Sequence, residues 1–234
     1  MSLIDSNNLP IHIGIIMDGN GRWAENQNME RISGHIQGVE TVKTIVESCA
    51  QLKIPYLTLY TFSKENWNRP KKEVDGLMSL LSSSLKSELE KLNRNNITFQ
   101  IVGKTEEMPS NLQALIMDTV NSTKNNTGLT LALALRYSGR QEIIDATNKM
   151  LAANIKHINE DTFQKHLYAP KTPDPDLIIR TGGENRLSNF LLWQSAYSEY
   201  YFTDVLWPEF NKDDAKAAID EYLSRNRRYG SLHT

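Results

Sequence analysis

The hydrophobic positions of the chain alternate between short apolar runs and longer segments with helical spacing. Short runs bounded by polar residues predict strands at 11–17, 56–62, 97–103, 129–137, 176–181 and 200–206. Apolar residues three and four positions apart predict helices at 34–53, 73–94, 109–124, 139–153 and 211–226, with shorter helices near 161–168 and 187–196. Most of the strands are apolar throughout, as strands covered on both faces are. The pattern predicts an α/β fold, a single domain with a central, mostly parallel six-stranded sheet flanked by helices.

The helix predicted at 73–94 has an apolar stripe along one face for its whole length. The stripe consists of Val74, Leu77, Met78, Leu81, Leu85, Leu89 and Leu92. This spacing is typical of a face that packs on a sheet, and we favour that interpretation for most of the stripe. The wall of a long apolar cavity would have the same spacing, and periodicity cannot separate the two.

Composition and charge fit one ordinary domain with no general affinity for nucleic acid. The chain has 234 residues, of which 39% are hydrophobic and 23% charged, and its net charge is −2. No apolar run reaches the ~18 residues of a membrane span, and the N-terminus has no charged-then-apolar leader. The single cysteine, Cys49, gives neither a disulfide framework nor a cysteine metal site. We therefore expect a cytoplasmic protein, in which any anion site is local.

Polar and charged residues concentrate after three of the predicted strands. Because the carboxyl ends of parallel strands meet at one edge of a sheet, the residues that follow them should lie close together. They are Asp18, Gly19, Asn20, Gly21, Arg22, Arg31 and His35 after the first strand, Ser63, Asn66, Trp67 and Arg69 after the second, and Arg180, Arg186 and Ser188 at the fifth. Arginine engages two phosphate oxygens at once, and glycine frees backbone amides to bind anions. This edge is therefore predicted to bind a polyphosphate.

Two acidic residues among these cations predict a magnesium site. A carboxylate beside a diphosphate would repel it unless a cation lay between them, and Mg²⁺ is typically held by one or two carboxylates together with phosphate oxygens. Asp18 is the first candidate, and Glu199, before the last strand, is the second. The sequence thus predicts a phosphate that is bridged by a metal.

Each of these residues also has a simpler explanation. Arginines at strand ends can form weak surface ion pairs, and an aspartate before glycine, such as Asp18, is typical of a turn. Trp23 and Trp67 could serve in packing alone. A histidine that opens a helix, such as His35, is more often a partly exposed polar residue than a ligand. The agreement among several arginines favours the polyphosphate site.

Motifs for other ligands are weaker. The stretch GNGRWA matches the glycine pattern of dinucleotide-binding loops, but helical periodicity starts only near Ser33 and Gly34, and no acidic residue ends the second strand. The GKT at Gly103 lacks the earlier glycine of a nucleotide-binding loop, since Thr98 stands there. Neither G-x-S-x-G nor H-E-x-x-H occurs. A redox enzyme with bound nicotinamide or flavin stays a weak alternative.

Five stretches of the sequence between His12 and Gly230 are distinctive. They are HIGIIMDGNGRWA, RISGHIQGVE, LTLYTFSKENWNRP, PDPDLIIRTGGENRLSNFLLWQSAYSEYYFTDVLWPEF and the terminal RNRRYG. These stretches resemble the cis-prenyltransferases, most closely the bacterial undecaprenyl diphosphate synthases. The resemblance implies that farnesyl diphosphate is extended by successive additions of isopentenyl diphosphate, each forming a Z double bond, with Mg²⁺ required. The implied product is undecaprenyl diphosphate, a lipid carrier for cell-wall polysaccharide.

The resemblance also implies roles for individual residues. Asp18 would be the essential carboxylate that handles metal and diphosphate, and Glu199 would match the second magnesium position. The allylic diphosphate would be held by Gly19, Asn20, Gly21, Arg22, Arg31, His35 and Arg69. Further substrate contacts would come from Trp23, Ser63, Lys64, Glu65 and Trp67, and the isopentenyl diphosphate site from Arg180, Arg186, Leu187 and Ser188.

Three positions need separate comment. Asn66 matches a position described as a proton acceptor, but a carboxamide has no useful basicity near neutral pH, so we interpret it as a catalytic group that positions substrate. Asn185 stands where some relatives have a histidine near the metal, and we do not assign it as a ligand. Arg228 and Gly230, in the terminal RYG, resemble a motif that reaches a substrate site across a homodimer.

The resemblance finally implies an apolar tunnel and two kinds of association. A growing hydrocarbon gains ~0.8 kcal/mol per buried CH₂, and the helix at 73–94 is the candidate wall of the tunnel between sheet and helices. We expect a homodimer that contacts the inner face of the membrane transiently when product is released. A non-catalytic partner subunit is a further alternative, but such subunits lack the front-loop aspartate and arginines, whereas Asp18, Arg22 and Arg31 are present.

Overall fold

The computed structural model describes residues 8–226 and has one six-stranded sheet with helices on both sides. The strands are β1 (His12–Ile16), β2 (Tyr56–Ser63), β3 (Thr98–Gly103), β4 (Thr130–Tyr137), β5 (Leu177–Arg180) and β6 (Glu199–Phe202). The helices are α1 (Asn20–Asn26), α2 (Arg31–Gln51), α3 (Lys71–Arg94), α4 (Ser110–Thr123), α5 (Gly139–Ala152), α6 (Glu160–Gln164) and α7 (Lys212–Ser224). Short 3₁₀ helices occur at Lys64–Asn68 and Trp207–Glu209.

The sheet is parallel throughout, with the order β3-β4-β2-β1-β5-β6. The central strand β1 pairs with β2 and β5, so that Ile16 lies beside both Tyr60 and Arg180. All five residues of β1 are buried, as expected for a strand covered on both faces. The three strands whose ends precede the predicted site residues are therefore neighbours, and the single α/β domain is confirmed.

The core has two unequal layers. Residues of β1, β2 and β4 that point to one face, including Ile15 and Leu59, pack against α2, α3, α4 and α7. On the other face, Ile16 and Ile178 pack against Phe190 and Leu191 of the loop before β6. Within residues 8–226, no helix is both long and apolar enough to cross a bilayer.

The helix α1 is absent from the sequence prediction. It begins at Asn20, directly after Gly19, whose φ of 109° is in the left-handed region. Seven residues make fewer than two turns, which is too short for apolar periodicity to show. One ground for rejecting a dinucleotide loop in GNGRWA is therefore wrong, because a helix does begin at the glycines. The other ground remains, since β2 ends without an acidic residue.

The helix predicted at 187–196 is wrong, since this segment forms successive turns. Ser188, Asn189 and Leu191 have φ values of 47°, 68° and 43°, which a right-handed helix cannot accommodate. Phe190 and Leu191 are nevertheless buried, so the apolar residues that suggested a helix fasten a loop to the sheet.

Candidate active site

A cavity of about 410 Å³ opens at the carboxyl edge of the sheet, between the sheet and helices α2 and α3. Its volume is within the usual range for a site that binds a small molecule. Twelve of the residues predicted from the sequence line it: Asp18, Gly19, Asn20, Gly21, Arg22, Arg31, His35, Ser63, Asn66, Arg69, Arg180 and Ser188. One end is therefore polar and mainly cationic, while the rest of the wall is apolar.

Asp18 lies between two arginines. Its Oδ2 accepts a hydrogen bond from Nη2 of Arg180 at 2.9 Å, and its Oδ1 lies 3.4 Å from Nη2 of Arg22. The backbone is fixed as well, because the Asp18 carbonyl accepts from the Thr181 hydroxyl at 2.7 Å and from the Trp207 amide at 3.0 Å. Asp18 is thus held as an oriented carboxylate, which the plain turn explanation does not require.

Arg180 is the most buried cation of the site, with a side chain that is only 4% exposed. Its Nη1 donates to the Arg186 carbonyl at 2.5 Å and to the Ser188 hydroxyl at 2.7 Å, while Nη2 is bonded to Asp18. Its Nε is buried without a hydrogen-bond partner in the described structure. A buried guanidinium with unused donor capacity in a cavity wall is suited to an anionic ligand.

A second cationic group lies where α2 faces the start of α3. Arg69 is 3.0 Å from Glu73, which is 3.9 Å from Nε of Arg31, and Arg31 also contacts Glu25 at 2.5 Å. His35 lies beside them. Burial, reinforced by the positive charge of Arg69, lowers the pKa of His35 to about 4, so this imidazole is neutral at physiological pH.

The Nε2 atom of His35 is buried and makes no hydrogen bond within residues 8–226. A buried polar atom of this kind needs a partner, and the cavity is where a ligand could supply one. A bound diphosphate would also offset the repulsion from Arg31 and Arg69, and so would favour the protonated imidazole. Arg31, Arg69 and His35 therefore form a group whose positive charge and unpartnered imidazole nitrogen suit an anionic ligand.

Two glycines allow the cationic wall to form. A Cβ at Gly21 would collide with the guanidinium of Arg31, and a Cβ at Gly34 would collide with the carbonyl of Asn20. The absence of side chains at these positions therefore lets α1 lie directly on α2 and lets Arg31 lie against α1. Gly21, which is predicted to free a backbone amide for an anion, thus also allows close packing between the two helices.

Asn66 belongs to a reciprocal cap at the start of the 3₁₀ helix Lys64–Asn68. Its Oδ1 accepts from the Ser63 amide at 3.0 Å, and its own amide donates to the Ser63 hydroxyl at 3.2 Å. The side-chain oxygen is therefore already engaged by the backbone of Ser63. This geometry supports the interpretation of Asn66 as a positioning group and not as a base.

Six of the predicted substrate-binding residues within 8–226 do not line the cavity: Trp23, Lys64, Glu65, Trp67, Arg186 and Leu187. Trp67 packs edge-on against Phe62, with the Arg136 guanidinium 5.8 Å from its ring. Arg186 is exposed and forms an ion pair with Glu184 at 2.5 Å. Their substrate roles remain predictions. Arg228 and Gly230 lie outside the described residues, so their predicted role across a homodimer also remains a prediction.

Glu199 lies on the wrong edge of the sheet to share a metal with Asp18 of the same chain. It is the first residue of β6, paired with Leu177 at the start of β5, whereas Asp18 follows the last residue of β1. At ~3.3 Å per residue, the two are separated by roughly 15 Å along the strands alone. Glu199 instead forms an ion pair with Arg225 at 2.7 Å. One chain therefore does not bring both carboxylates to a single ion, and the metal role of Glu199 remains a prediction.

The acidic content of the cavity fits magnesium that arrives with a substrate. Asp18 is the one carboxylate among the lining residues, and no group of three possible ligand side chains occurs within residues 8–226. Mg²⁺ is commonly held by one or two carboxylates, waters and substrate phosphates, without a site made of protein alone. Asp18 at the mouth of a cationic cavity is compatible with that arrangement. Asn185 is exposed and not on the cavity wall.

The apolar end of the cavity answers the question that periodicity left open for the stripe on α3. Leu77, Met78 and Leu81 line the cavity, while Val74 is buried in the core. A smaller cavity of about 100 Å³ follows, lined by Leu85 and Leu92 farther along the helix. The two cavities share the wall residues Val39, Val42, Leu81, Ser84 and Leu133. The stripe therefore both packs and lines a cavity.

Trp207 is a cavity residue that sequence reasoning missed. It is 1% exposed, and its indole Nε1 donates to the Gly38 carbonyl at 2.9 Å, which ties the segment after β6 to α2. Its backbone amide also holds the Asp18 carbonyl. The available signal was an indole within the apolar run DVLWPEF, but its sequence does not indicate which strand end it approaches.

Comparison with known proteins identifies the family to which this site belongs. Residues 16–230 match the model of a prenyltransferase family described as "Putative undecaprenyl diphosphate synthase". The chain belongs to the undecaprenyl diphosphate synthase family. An isoprenyl transferase of Clostridium tetani is 47% identical over 98% of this chain and 92% of its own length, and that of Neisseria gonorrhoeae is 45% identical over the same shares.

Two solved structures have the same fold as this chain. Lavandulyl diphosphate synthase from Lavandula x intermedia, in complex with dimethylallyl diphosphate, superposes with a TM-score of 0.91 at 37% identity, covering 95% of this chain and 99% of that one. A probable undecaprenyl diphosphate synthase from Campylobacter jejuni gives a TM-score of 0.82 at 34% identity, covering 96% and 100%. The resemblance predicted from the motifs is confirmed at the level of the family.

Proposed function

We propose that this protein is a cis-prenyltransferase that extends farnesyl diphosphate with isopentenyl diphosphate to undecaprenyl diphosphate. The observation that supports this most directly is the cavity, which joins a cationic mouth at Asp18 and Arg180 to an apolar interior along α3. An allylic diphosphate has the same division into an anionic head and a hydrocarbon tail. The relative whose structure contains dimethylallyl diphosphate adds support for a ligand of this class.

In the proposed reaction, the allylic C–O bond breaks and the diphosphate leaves with the bonding electrons. Arg22, Arg31 and Arg69 would hold this diphosphate and meet its growing negative charge, which lowers the barrier because the donors are already in place. The imidazole of His35 would provide a further hydrogen bond, through the Nε2 atom that has no partner in the described structure. Mg²⁺ held by Asp18 and the substrate would neutralise part of the same charge.

The second substrate would be fixed through its own diphosphate near Arg180 and Ser188. The double bond of isopentenyl diphosphate would then lie against the allylic carbon, where the new C–C bond forms, and transfer of a proton to the released diphosphate would complete each addition. The Nδ2 donor of Asn66 would orient a substrate oxygen. The apolar wall on α3 would receive the growing chain, since each buried CH₂ gains ~0.8 kcal/mol.

Three further parts of the proposal concern the setting of the reaction. We propose a homodimer, in which Arg228 and Gly230 would reach a substrate site of the other copy. We also propose a cytoplasmic enzyme that touches the inner membrane surface while it releases its lipid product. The product would serve as carrier for cell-wall polysaccharide. No nucleic acid is expected as partner, since the net charge is −2.

A direct assay tests the proposal. The protein is incubated with farnesyl diphosphate, labelled isopentenyl diphosphate and Mg²⁺, and the extracted lipid is sized by mass spectrometry. A ladder that ends near eleven isoprene units would support the proposed product. A single short product would place the protein with a different activity of the same family. Absence of any incorporation, at all Mg²⁺ concentrations, would refute the proposed function.

A further inference from the structure

Asn189 lies at the centre of the loop before β6 and bonds to two separate segments. Its backbone carbonyl accepts from the Gly139 amide at 2.8 Å, and its Oδ1 accepts from the Arg140 amide at 3.0 Å. Its Nδ2 donates to Ser138 Oγ at 2.6 Å and to Glu65 Oε1 at 3.0 Å. One side chain therefore ties its loop both to the start of α5 and to the 3₁₀ helix Lys64–Asn68.

The contact with Glu65 matters because its helix includes Asn66 at the cavity. The same short helix is fixed a second time, since Lys64 Nζ donates to Gln141 Oε1 on α5 at 2.9 Å. The start of α5 thus contacts both the loop at 186–191 and the segment at 63–69. Asn189 contacts both the start of α5 and this segment.

The residue before Asn189 contacts the most buried cation of the site. Ser188 Oγ accepts from Arg180, and the Ser188 carbonyl accepts from the Tyr60 hydroxyl at 3.3 Å. Arg180 in turn bonds to Asp18 at 2.9 Å. An unbroken series of contacts therefore runs from Glu65 through Asn189 and Ser188 to the cationic end of the cavity.

The identity of the residue suits this place. Asn189 has a φ of 68°, in the left-handed region that asparagine tolerates better than most residues with a side chain. A carboxamide also offers an acceptor and two donors together, and all three are suited to the partners found here. Glycine would keep the backbone conformation but lose the side-chain bonds, whereas aspartate would keep the acceptor and face Glu65 with a like charge.

We propose that Asn189 is a positioning residue that couples the segment at 63–69 to the loop at 186–191, and so aligns the two diphosphate substrates for condensation. The inference rests on the proposed function, because it assigns those segments to the two substrates. In Asn189→Gly we expect the KM for isopentenyl diphosphate to rise about tenfold, since the loop that holds Ser188 loses its fixed geometry. The affinity for an unreactive farnesyl diphosphate analogue should change less than twofold, because Arg22, Arg31 and His35 lie on α1 and α2, outside both segments.

A paired substitution separates coupling from general stability. Asn189→Asp should impair the KM for isopentenyl diphosphate as strongly as Asn189→Gly, because two carboxylates would face each other. Adding Glu65→Gln should restore at least half of the loss on a logarithmic scale, because glutamine can donate to the new aspartate. Asn154→Gly is the matched control, since Asn154 is an exposed asparagine with a φ of 55° remote from the cavity, and it should leave both constants unchanged.

Hydrogen exchange of the ligand-free protein tests the coupling without turnover. In Asn189→Gly, the amides of 63–69 and of 186–191 should both exchange faster, while those of α4 stay unchanged. Normal KM values in both Asn189 variants, or unchanged exchange at 63–69, would overturn the inference. Lack of turnover in the unmodified protein would refute the proposed function instead, and the exchange result would still decide whether the two segments are coupled.

Discussion

At the scale of single residues, the site depends on charges held in fixed places before any ligand binds. The carboxylate of Asp18 is oriented by Arg180, and that guanidinium is itself oriented by the carbonyl of Arg186 and the hydroxyl of Ser188. Such preorganisation is what allows donors to stabilise charge as it forms, because no rearrangement is needed at that moment. Loss of one of these groups should therefore affect turnover much more than folding.

Asp18→Ala should lower kcat by at least about 10² to 10³, which is the usual effect of removing one group that stabilises charge in the transition state. Stability should fall by about 1 to 3 kcal/mol, because Arg180, only 4% exposed, loses its carboxylate partner. Steady-state kinetics together with urea unfolding measure the two effects. Turnover close to that of the unmodified protein would refute the role assigned to Asp18.

His35 should make the ligand-free protein less stable in mild acid. Burial lowers its pKa to about 4 in the folded state, against about 6.5 when unfolded, so between these values the unfolded chain binds more protons. Stability therefore falls as pH is lowered from 7.5 to 5, by about 2 kcal/mol for this residue. His12, whose pKa burial also lowers to about 4, acts in the same direction.

Urea unfolding at pH 7.5 and pH 5 tests this expectation. His35→Gln should reduce the difference in unfolding free energy between the two pH values by about 2 kcal/mol, because glutamine does not titrate. His157→Gln is the control, since His157 is exposed and should leave the difference unchanged. An equal difference in His35→Gln and the unmodified protein would show that the imidazole is not held in its neutral form.

At the scale of elements, α3 serves the core and the cavity with one apolar face. Val74 is buried in the core, Leu77 faces the larger cavity, and Leu85 lines the smaller cavity farther along. Helical spacing cannot distinguish these roles, because a residue that meets a cavity and a residue that meets a neighbouring side chain need the same polarity. The difference depends on how far α2 and the sheet stand away from α3.

Leu81→Trp should shorten the product. Leu81 lines both cavities, so a larger side chain there would narrow the passage from one to the other. The length distribution of the extracted lipid should move to fewer isoprene units, with the first additions still occurring at a near-normal rate. Leu89→Trp, on the same helix but outside both cavities, is the control and should leave the lengths unchanged. An unaltered distribution in Leu81→Trp would place the growing chain elsewhere.

At the scale of the whole molecule, one buried carboxylate joins segments that are far apart in sequence. Glu142 is 1% exposed and accepts from the Tyr137 hydroxyl at 2.5 Å, the Gln194 amide at 3.0 Å and the Tyr168 backbone amide at 2.9 Å. These donors lie on β4, on the loop before β6 and on the segment after α6. A buried acceptor with three donors stabilises a fold only while all three bonds are made.

Glu142→Gln should lower the free energy of unfolding by about 2 to 4 kcal/mol. The glutamine NH₂ would face a donor in place of an acceptor, so at least one buried donor would be left unsatisfied. Urea unfolding measures the change, with Glu160→Gln as an exposed control that should differ from the unmodified protein by less than about 0.5 kcal/mol. A loss below about 1 kcal/mol would mean that the network relaxes around the amide.

The sequence was informative where a single rule relates position to structure. The carboxyl ends of parallel strands meet at one edge, and this rule alone brought Asp18 and Arg180 together. By the same rule Glu199, the first residue of its strand, lies at the opposite, amino edge of the sheet. Distances across the fold were not predictable: the contact of Trp207 with α2 and the turns around Asn189 depend on tertiary packing and on left-handed backbone, which have no periodic pattern.

Arg180 gives the proposed cycle an inherent order of events. With one nitrogen on Asp18 and another on Ser188, this guanidinium borders the places proposed for both diphosphates, and its burial leaves it little freedom to turn away. Released pyrophosphate that is still bound beside Arg180 would therefore hinder the binding of the next isopentenyl diphosphate. The rate of repeated elongation would then depend on Arg180, because the departing pyrophosphate and the next isopentenyl diphosphate would contact the same guanidinium.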